Sequence, residues 1–194
     1  MKTLQTHREA GFSLVELLVA MALGLIVLTG LSNTFLMQNR AYDQQDQIMV
    51  ATQKARAAMD LLARELRMAG YDPRNVGFDP LPVSSTQLRI RTDLNGDGLT
   101  TGTNENLIYA YDPSEMRITR NDGSGAFSLS RDVQTFVFQY LDANGNITAV
   151  TADVRAVRLR IVVRTEKPDP KYNLNGGYRT RSLDMVVTPP NLAI

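Results

Sequence analysis

The sequence predicts an α+β protein: one long N-terminal helix, membrane-spanning in its first half, packed in its second half on a C-terminal antiparallel β-sheet head. Three observations carry this. The 23 residues between Glu16 and Arg40 include no charged side chain. Apolar residues then recur at helical spacing up to Ala69, with no proline from Phe12 to Gly70. From Val83 onward the pattern changes to short alternating runs separated by Gly, Pro, Asn and Asp.

The apolar run is centred on residues 17–28. As a helix, 23 residues rise roughly 35 Å, enough for a hydrocarbon core of about 30 Å. Before it stand Lys2, His7 and Arg8, then Gly11, Phe12, Ser13 and a lone carboxylate, Glu16. An ordinary secretory signal is cut after its apolar run, at small residues. Here the natural junction, Gly11/Phe12, precedes it, so cutting there leaves the apolar helix on the mature chain. Basic residues beside an apolar segment stay cytoplasmic. This orients the N-terminus inward and exports everything beyond Arg40.

The second half of the helix carries the stripe Ile48, Ala51, Ala55, Met59, Leu62, Leu66 and Ala69, with Lys54, Arg56, Asp60, Arg64, Glu65 and Arg67 on the other face. Gly70 is the expected stop, with Pro73 shortly after. A helix of 59 residues would be about 90 Å long. Residues 38–47 are polar all round and read as solvent-exposed or partly melted. Gly24 and Gly30 are the helix-weakening residues of the apolar half.

Strands are expected at 87–91, 107–111, 116–119, 135–141, 147–150, 154–163 and 183–187. Asp112-Pro113-Ser114 reads as a turn, and residues 142–145 read as a hairpin turn. In the run 154–163, Val157, Leu159 and Ile161 face one way with Val163, while Arg158, Arg160 and Arg164 face the other. An antiparallel sheet with one wet face needs a cover for its dry face, and the helix stripe is the candidate.

Composition restricts the chemistry. There are 21 basic and 20 acidic side chains, a net charge of +1, no Cys, and one His, His7. Such a balance gives no global attraction to nucleic acid. A chain cut before Phe12 has neither His nor Cys, which excludes Ser-His-Asp and Cys-His catalysis and zinc sites built on those residues. No enzyme is expected.

Residues 93–98, Asp-Leu-Asn-Gly-Asp-Gly, match the start of a calcium loop, with Asp93, Asn95, Asp97 and the Leu99 carbonyl as oxygen ligands at alternate positions. The twelfth position holds Asn104 where a bidentate acid is needed, and Glu105 follows. The other reading is an Asx/Gly-rich turn, which these residues favour in any case. Calcium at residues 93–105 is the one cofactor the sequence suggests; none is required. Arg158, Arg160 and Arg164, with Arg179 and Arg181, form either a solvated sheet face or a phosphate-binding strip. The first is preferred, because no interleaved aromatic platform is evident.

The order basic leader, Gly11, Phe12, Ser13, Glu16, apolar run resembles the class III signal of type IV pilin-like proteins. The resemblance covers about 25 residues. It implies cleavage after Gly11 by a prepilin peptidase, N-methylation of Phe12, and a role in assembly for Glu16, the fifth mature residue, which would meet the N-terminal amine of a neighbouring subunit. It implies the pilin fold, with residues 1–11 as leader, 12–40 as the transmembrane and assembly part of the helix, 41–72 as its amphipathic half and 73–194 as the exported head. The family often has a helix-bending proline where this chain has Asn33. The helix end, residues 59–71, with its Arg67-Met68-Ala69-Gly70-Tyr71 close, is similar to that of PilW-type minor pilins.

The expected function is therefore that of a PilW-like minor pilin in pilus assembly. Expected partners are other minor pilins, the major pilin, the prepilin peptidase, the assembly platform and the inner membrane before assembly. The expected location is the inner membrane, then the filament, near its tip. Alternatives are a J-type pseudopilin of type II secretion, or a signal-anchored exported binding module or enzyme.

Overall fold

The computed structural model describes residues 11–192. The basic residues Lys2, His7 and Arg8 lie outside them. The described chain comprises one long helix, α1 (Leu14–Met68), and seven strands: β1 (Gln87–Arg91), β2 (Asn106–Asp112), β3 (Arg117–Asn121), β4 (Ala126–Ser130), β5 (Val133–Leu141), β6 (Ala156–Arg164) and β7 (Thr180–Val187). By contacts the chain divides between Gln45 and Asp46 into two compact units.

In the first unit the apolar residues of α1 have no cover. Leu17, Leu18, Leu25, Ile26 and Phe35 are all exposed. The most apolar 18-residue stretch of the helix has a mean hydropathy of 2.5, with none of it buried. By length and composition α1 can cross a membrane. Residues 38–47 are helical without interruption. Backbone hydrogen bonds within α1 satisfy this polar segment, and at its end Gln47 Oε1 accepts from the Lys167 N–H at 3.1 Å.

The second unit is built on the predicted stripe. Ala55, Met59, Leu62, Ala63 and Leu66 are buried, with Ala51 half-buried at the margin. Against them pack Leu88 and Ile90 of β1, Leu107 and Tyr109 of β2, Ile118 of β3, Val133, Phe136 and Tyr140 of β5, and Val157, Leu159, Ile161 and Val163 of β6. Each large apolar side chain taken from water contributes about 1.5–3 kcal/mol.

One sheet was expected, and two form. The first is four-stranded, ordered β1-β2-β3-β4, and the second three-stranded, ordered β5-β6-β7; both are antiparallel. The break falls between Ser130 and Val133, where Asp132 adopts φ 59°. The two sheets are tied beside it: Val133 N–H donates to the Met116 carbonyl at 2.9 Å, and Tyr111 Oη donates toward the Val133 and Gln134 carbonyls at 2.9 and 2.7 Å.

Two strand expectations need correction. Residues 147–150 form no strand; a single bridge joins Ile147 to Leu141. Asp142 accepts N–H bonds from both Asn144 and Asn146 at 2.8 Å, which closes a turn, and the chain then enters a short 3-10 turn at Thr151–Asp153. Conversely, β4 was not expected. Its alternating Ala126-Phe127-Ser128-Leu129-Ser130 after Asp122-Gly123 is nevertheless an ordinary hairpin signal.

The helix ends as the sequence indicates. Gly70 has φ 75°, and its N–H reaches the Arg91 carbonyl at 3.0 Å. A Cβ there would meet Pro80 Cγ at 3.2 Å. Asn191 Nδ2 donates to the Ala69 carbonyl at 3.1 Å, closing one of the last open acceptors.

Candidate functional site

The candidate site is the start of α1. Gly11, Phe12 and Ser13 precede the helix, so the Gly11–Phe12 peptide bond lies outside the hydrogen-bonded ladder. Phe12 is 92% exposed. Among the described residues nothing lies within 4 Å of a Cβ built on Gly11, and its φ is not among the positive ones. The described residues therefore place no steric demand for glycine here.

Ser13 is the N-cap. Its Oγ accepts from the Glu16 N–H at 3.2 Å, and its own N–H donates to Glu16 Oε2 at 2.9 Å. This is a capping box, Ser-x-x-Glu, satisfying two otherwise open donors reciprocally. The Ser-x-x-Glu spacing is present in the sequence, where the adjoining apolar run makes Glu16 look like a lone acid. The structure gives that acid a partner within its own first turn. Beyond it, Thr29 and Thr34 return their hydroxyls to the Leu25 and Gly30 carbonyls at 2.8 and 3.0 Å, so neither leaves a bare polar group on the apolar surface.

The residues of the calcium expectation lie in the second unit. Asp93 is buried, and its carboxylate gathers the loop: Oδ1 accepts from Gly96 and Asp97 at 2.8 and 3.1 Å, and Oδ2 from Gly98 at 2.9 Å. Asn95 Oδ1 accepts from Asp97 N–H at 2.8 Å, and Asp97 Oδ1 from Leu99 N–H at 2.7 Å. Glu105, also buried, closes the loop from the other side. Its Oε1 accepts from Leu94 and Asn95 at 3.0 and 3.1 Å, and its Oε2 from Gly102 at 2.7 Å. A Cβ on Gly102 would stand 2.5 Å from that oxygen, so only glycine permits the approach.

The loop is thus organised by two buried carboxylates, neither in an ion pair among the described residues. No group of three or more His, Cys, Asp or Glu converges there or elsewhere among the described residues. A cation would need the Asn95 side chain and the Leu99 carbonyl as well. The donors are all oxygens, which suits calcium and not a softer metal.

A polar cluster that sequence reasoning missed joins α1 to the first sheet. Glu65, assigned to the wet face, accepts from Arg120 Nε at 3.0 Å and Nη2 at 2.8 Å, and from the Tyr109 hydroxyl. Arg120 also donates to Asp122 at 3.0 Å and to Asn104 at 2.8 Å. Burial, reinforced by the Glu65 hydrogen bond, holds the Tyr109 hydroxyl well above its usual range. Burial works against the Arg120 charge, and the Glu65 carboxylate more than offsets it. The signal available beforehand was weak: an Arg at a buried position of the alternating run 117–121.

The arginine strip is interrupted. Arg160 pairs with Asp184 at 2.6 Å and Arg179 with Asp169 at 2.9 Å, while Arg164 lies over the Tyr178 ring at 4.1 Å.

Comparison with known proteins bears on the N-terminal site. The sequence profile of the prokaryotic N-terminal methylation motif matches residues 6–32. Among solved structures the chain is similar to the type IV-like pilin TTHA1219 from Thermus thermophilus, with 17% identity, a TM-score of 0.43, and coverage of 73% of this chain and 98% of that one. No curated protein matches the sequence. The matched motif contains the Gly11–Phe12 junction, the Ser13–Glu16 box and the start of the exposed apolar helix. Residues 6–32 therefore carry the prokaryotic N-terminal methylation motif, with the Gly11–Phe12 junction inside it.

Proposed function

We propose that the chain is a non-enzymatic minor pilin of PilW type, cut after Gly11 and N-methylated at Phe12. The observation that carries this is the methylation motif over residues 6–32, set on a junction outside the helix and ahead of an uncovered apolar rod. The sequence supports insertion with the leader inside and the head exported. After cleavage the apolar helix stays as a single membrane anchor. It then packs with like helices in a filament, through a heterologous contact that extends instead of closing. Since no described residue demands glycine at position 11, the demand is assigned to the peptidase pocket. The Glu16 carboxylate is proposed to meet the amine of a neighbouring subunit, an attraction that grows in a low dielectric. Partners are the prepilin peptidase, the assembly platform, the major pilin and other minor pilins, with a place near the tip.

Intact mass of the protein purified from its host tests the processing. Loss of residues 1–11 plus one methyl group is expected; an uncut chain, or a cut beyond Leu31, overturns it. Deleting the gene and scoring pili against secreted proteins separates this reading from the J-type pseudopilin: loss of secretion with pili intact would transfer the protein to the other system.

For the second unit we propose weak calcium binding by Asp93, Asn95, Asp97 and the Leu99 carbonyl. The support is the all-oxygen set at alternate positions of residues 93–99, beside two buried carboxylates, Asp93 and Glu105, that form no ion pair among the described residues and whose present partners are loop N–H groups.

A further inference from the structure

We infer that Asn175 is a site of spontaneous deamidation through the Gly176 nitrogen, and that it converts ahead of the chain's other two Asn-Gly pairs. The sequence holds three such pairs: Asn95-Gly96, Asn144-Gly145 and Asn175-Gly176. A glycine after asparagine has no Cβ to hinder the approach of its nitrogen to the side-chain amide. The reaction has a second condition, a backbone N–H free to lose its proton. An N–H held by an acceptor must first give that bond up.

The three pairs differ in the second condition. Gly96 N–H donates to the buried Asp93 carboxylate at 2.8 Å. The Asn95 amide is also held at both ends by Asp97: its Nδ2 donates to Asp97 Oδ2 at 3.0 Å, and its Oδ1 accepts from the Asp97 N–H at 2.8 Å. Gly145 N–H donates to the Asp142 carbonyl at 3.1 Å. Gly176 N–H has no acceptor among the described residues. The bonds of its 3-10 turn, Asn175–Gly177, start from the next two residues: Gly177 donates to the Leu174 carbonyl at 2.9 Å and Tyr178 to the Asn175 carbonyl at 3.2 Å. Asn175 and Gly176 are both exposed, so water reaches the amide.

The step balances with water alone. Gly176 N, its proton taken by hydroxide, attacks Asn175 Cγ. The new C–N bond closes a succinimide ring, the Cγ–Nδ2 bond breaks, and ammonia leaves. Water then opens the ring at Cγ, giving aspartate, or at the main-chain carbonyl, giving isoaspartate. The isoaspartate product places Cβ in the main chain, inside the turn that Gly177 N–H closes on Leu174. That turn seats Gly177 where a Cβ would stand 3.0 Å from Pro168 Cβ, and where its carbonyl receives the Asp169 N–H at 2.7 Å. Conversion therefore loosens the connection between β6 and β7.

The test ages the full chain in detergent at mildly alkaline pH and follows each Asn-Gly peptide by mass spectrometry, with electron-transfer fragmentation separating aspartate from isoaspartate. Asn175 is expected to convert about fivefold faster than Asn144, the factor that one ordinary hydrogen bond represents, and about tenfold or more ahead of Asn95, whose glycine donates to a charged acceptor. Asn175→Gln, whose amide lies one methylene farther from the Gly176 nitrogen, is expected to remove the fast conversion. In concentrated urea the three rates are expected to draw together. Asn144 or Asn95 converting as fast as Asn175 in the folded chain overturns the inference. So does a ranking that survives unfolding, because flanking sequence would then set it.

Discussion

Replacing Arg120 with Met should cost the second unit more stability than any exposed substitution. The change keeps most of the side-chain stem and removes the guanidinium. Arg120 and Glu65 have side-chain exposures of 9% and 15%. Without the guanidinium, the Glu65 carboxylate keeps only the Tyr109 hydroxyl among its described side-chain partners, and Asp122 and Asn104 each lose a donor. Breaking a buried pair from one side costs about 3–5 kcal/mol; the residual exposure places this one near the lower end, about 3 kcal/mol. For a unit of this size each kcal/mol moves the midpoint by roughly 2–4 °C, so Tm should fall by about 6–12 °C. The assay is thermal unfolding of the full chain in detergent, followed by tyrosine fluorescence. The double variant Glu65→Met, Arg120→Met should recover much of the loss, because no charge is then stranded. A fall of less than about 2 °C for the single variant, or losses that simply add in the double, would refute the assignment of this cluster as the tie between α1 and the first sheet.

Three further outcomes are expected. Gly70→Ala forces φ 75° on a residue with a Cβ and presses it against Pro80; Tm should fall by the equivalent of about 1–2 kcal/mol, whereas Gly24→Ala, with open space around it, should leave Tm unchanged or raised. Hydrogen bonds from Ser124, helped by Arg120, lower the Asp122 carboxyl from 3.8 to about 2. A depressed folded-state pKa contributes stability that is fully present above the unfolded value and lost as pH falls through the folded one. The midpoint should therefore drop between about pH 4 and pH 2, and Asp122→Asn should flatten that part of the profile. Calcium should raise Tm reversibly, by an amount set by ligand excess over Kd, with the gain abolished by a chelator and by Asp93→Asn; no shift at millimolar calcium ends the calcium reading.

Much of the fold was legible because its signals were local. The alternation in residues 87–91 gave β1 to the residue, and the Val157/Arg158 alternation gave the faces of β6. The stripe from Ala51 to Ala69 identified the buried face of α1. What could not be read was set by partners distant in sequence. Glu65 looks like a surface residue until Arg120, 55 positions away, arrives beside it. Nothing local separates one sheet from two, since the break depends on a positive φ at Asp132 and on Tyr111 reaching across to Val133. The run 147–150 has strand-like residues, but the turn drawn in by Asp142 leaves it only one bridge. At the N-terminus the methylation motif over residues 6–32 was legible by the order and type of its residues. The Ser13–Glu16 box has a local signal too, the Ser-x-x-Glu spacing, which the adjoining apolar run masks.

The apolar cluster of the second unit draws on no described residue before Ala51. A genetic consequence follows. If the chain assembles as proposed, lesions in the greasy anterior segment should yield protein that is made, folded and protease-resistant yet absent from the filament, whereas lesions beyond it should lower the amount of protein itself. Abundance and deployment would then be scored on separate stretches of the gene, and a screen reporting both would sort new alleles by position before any of them is purified.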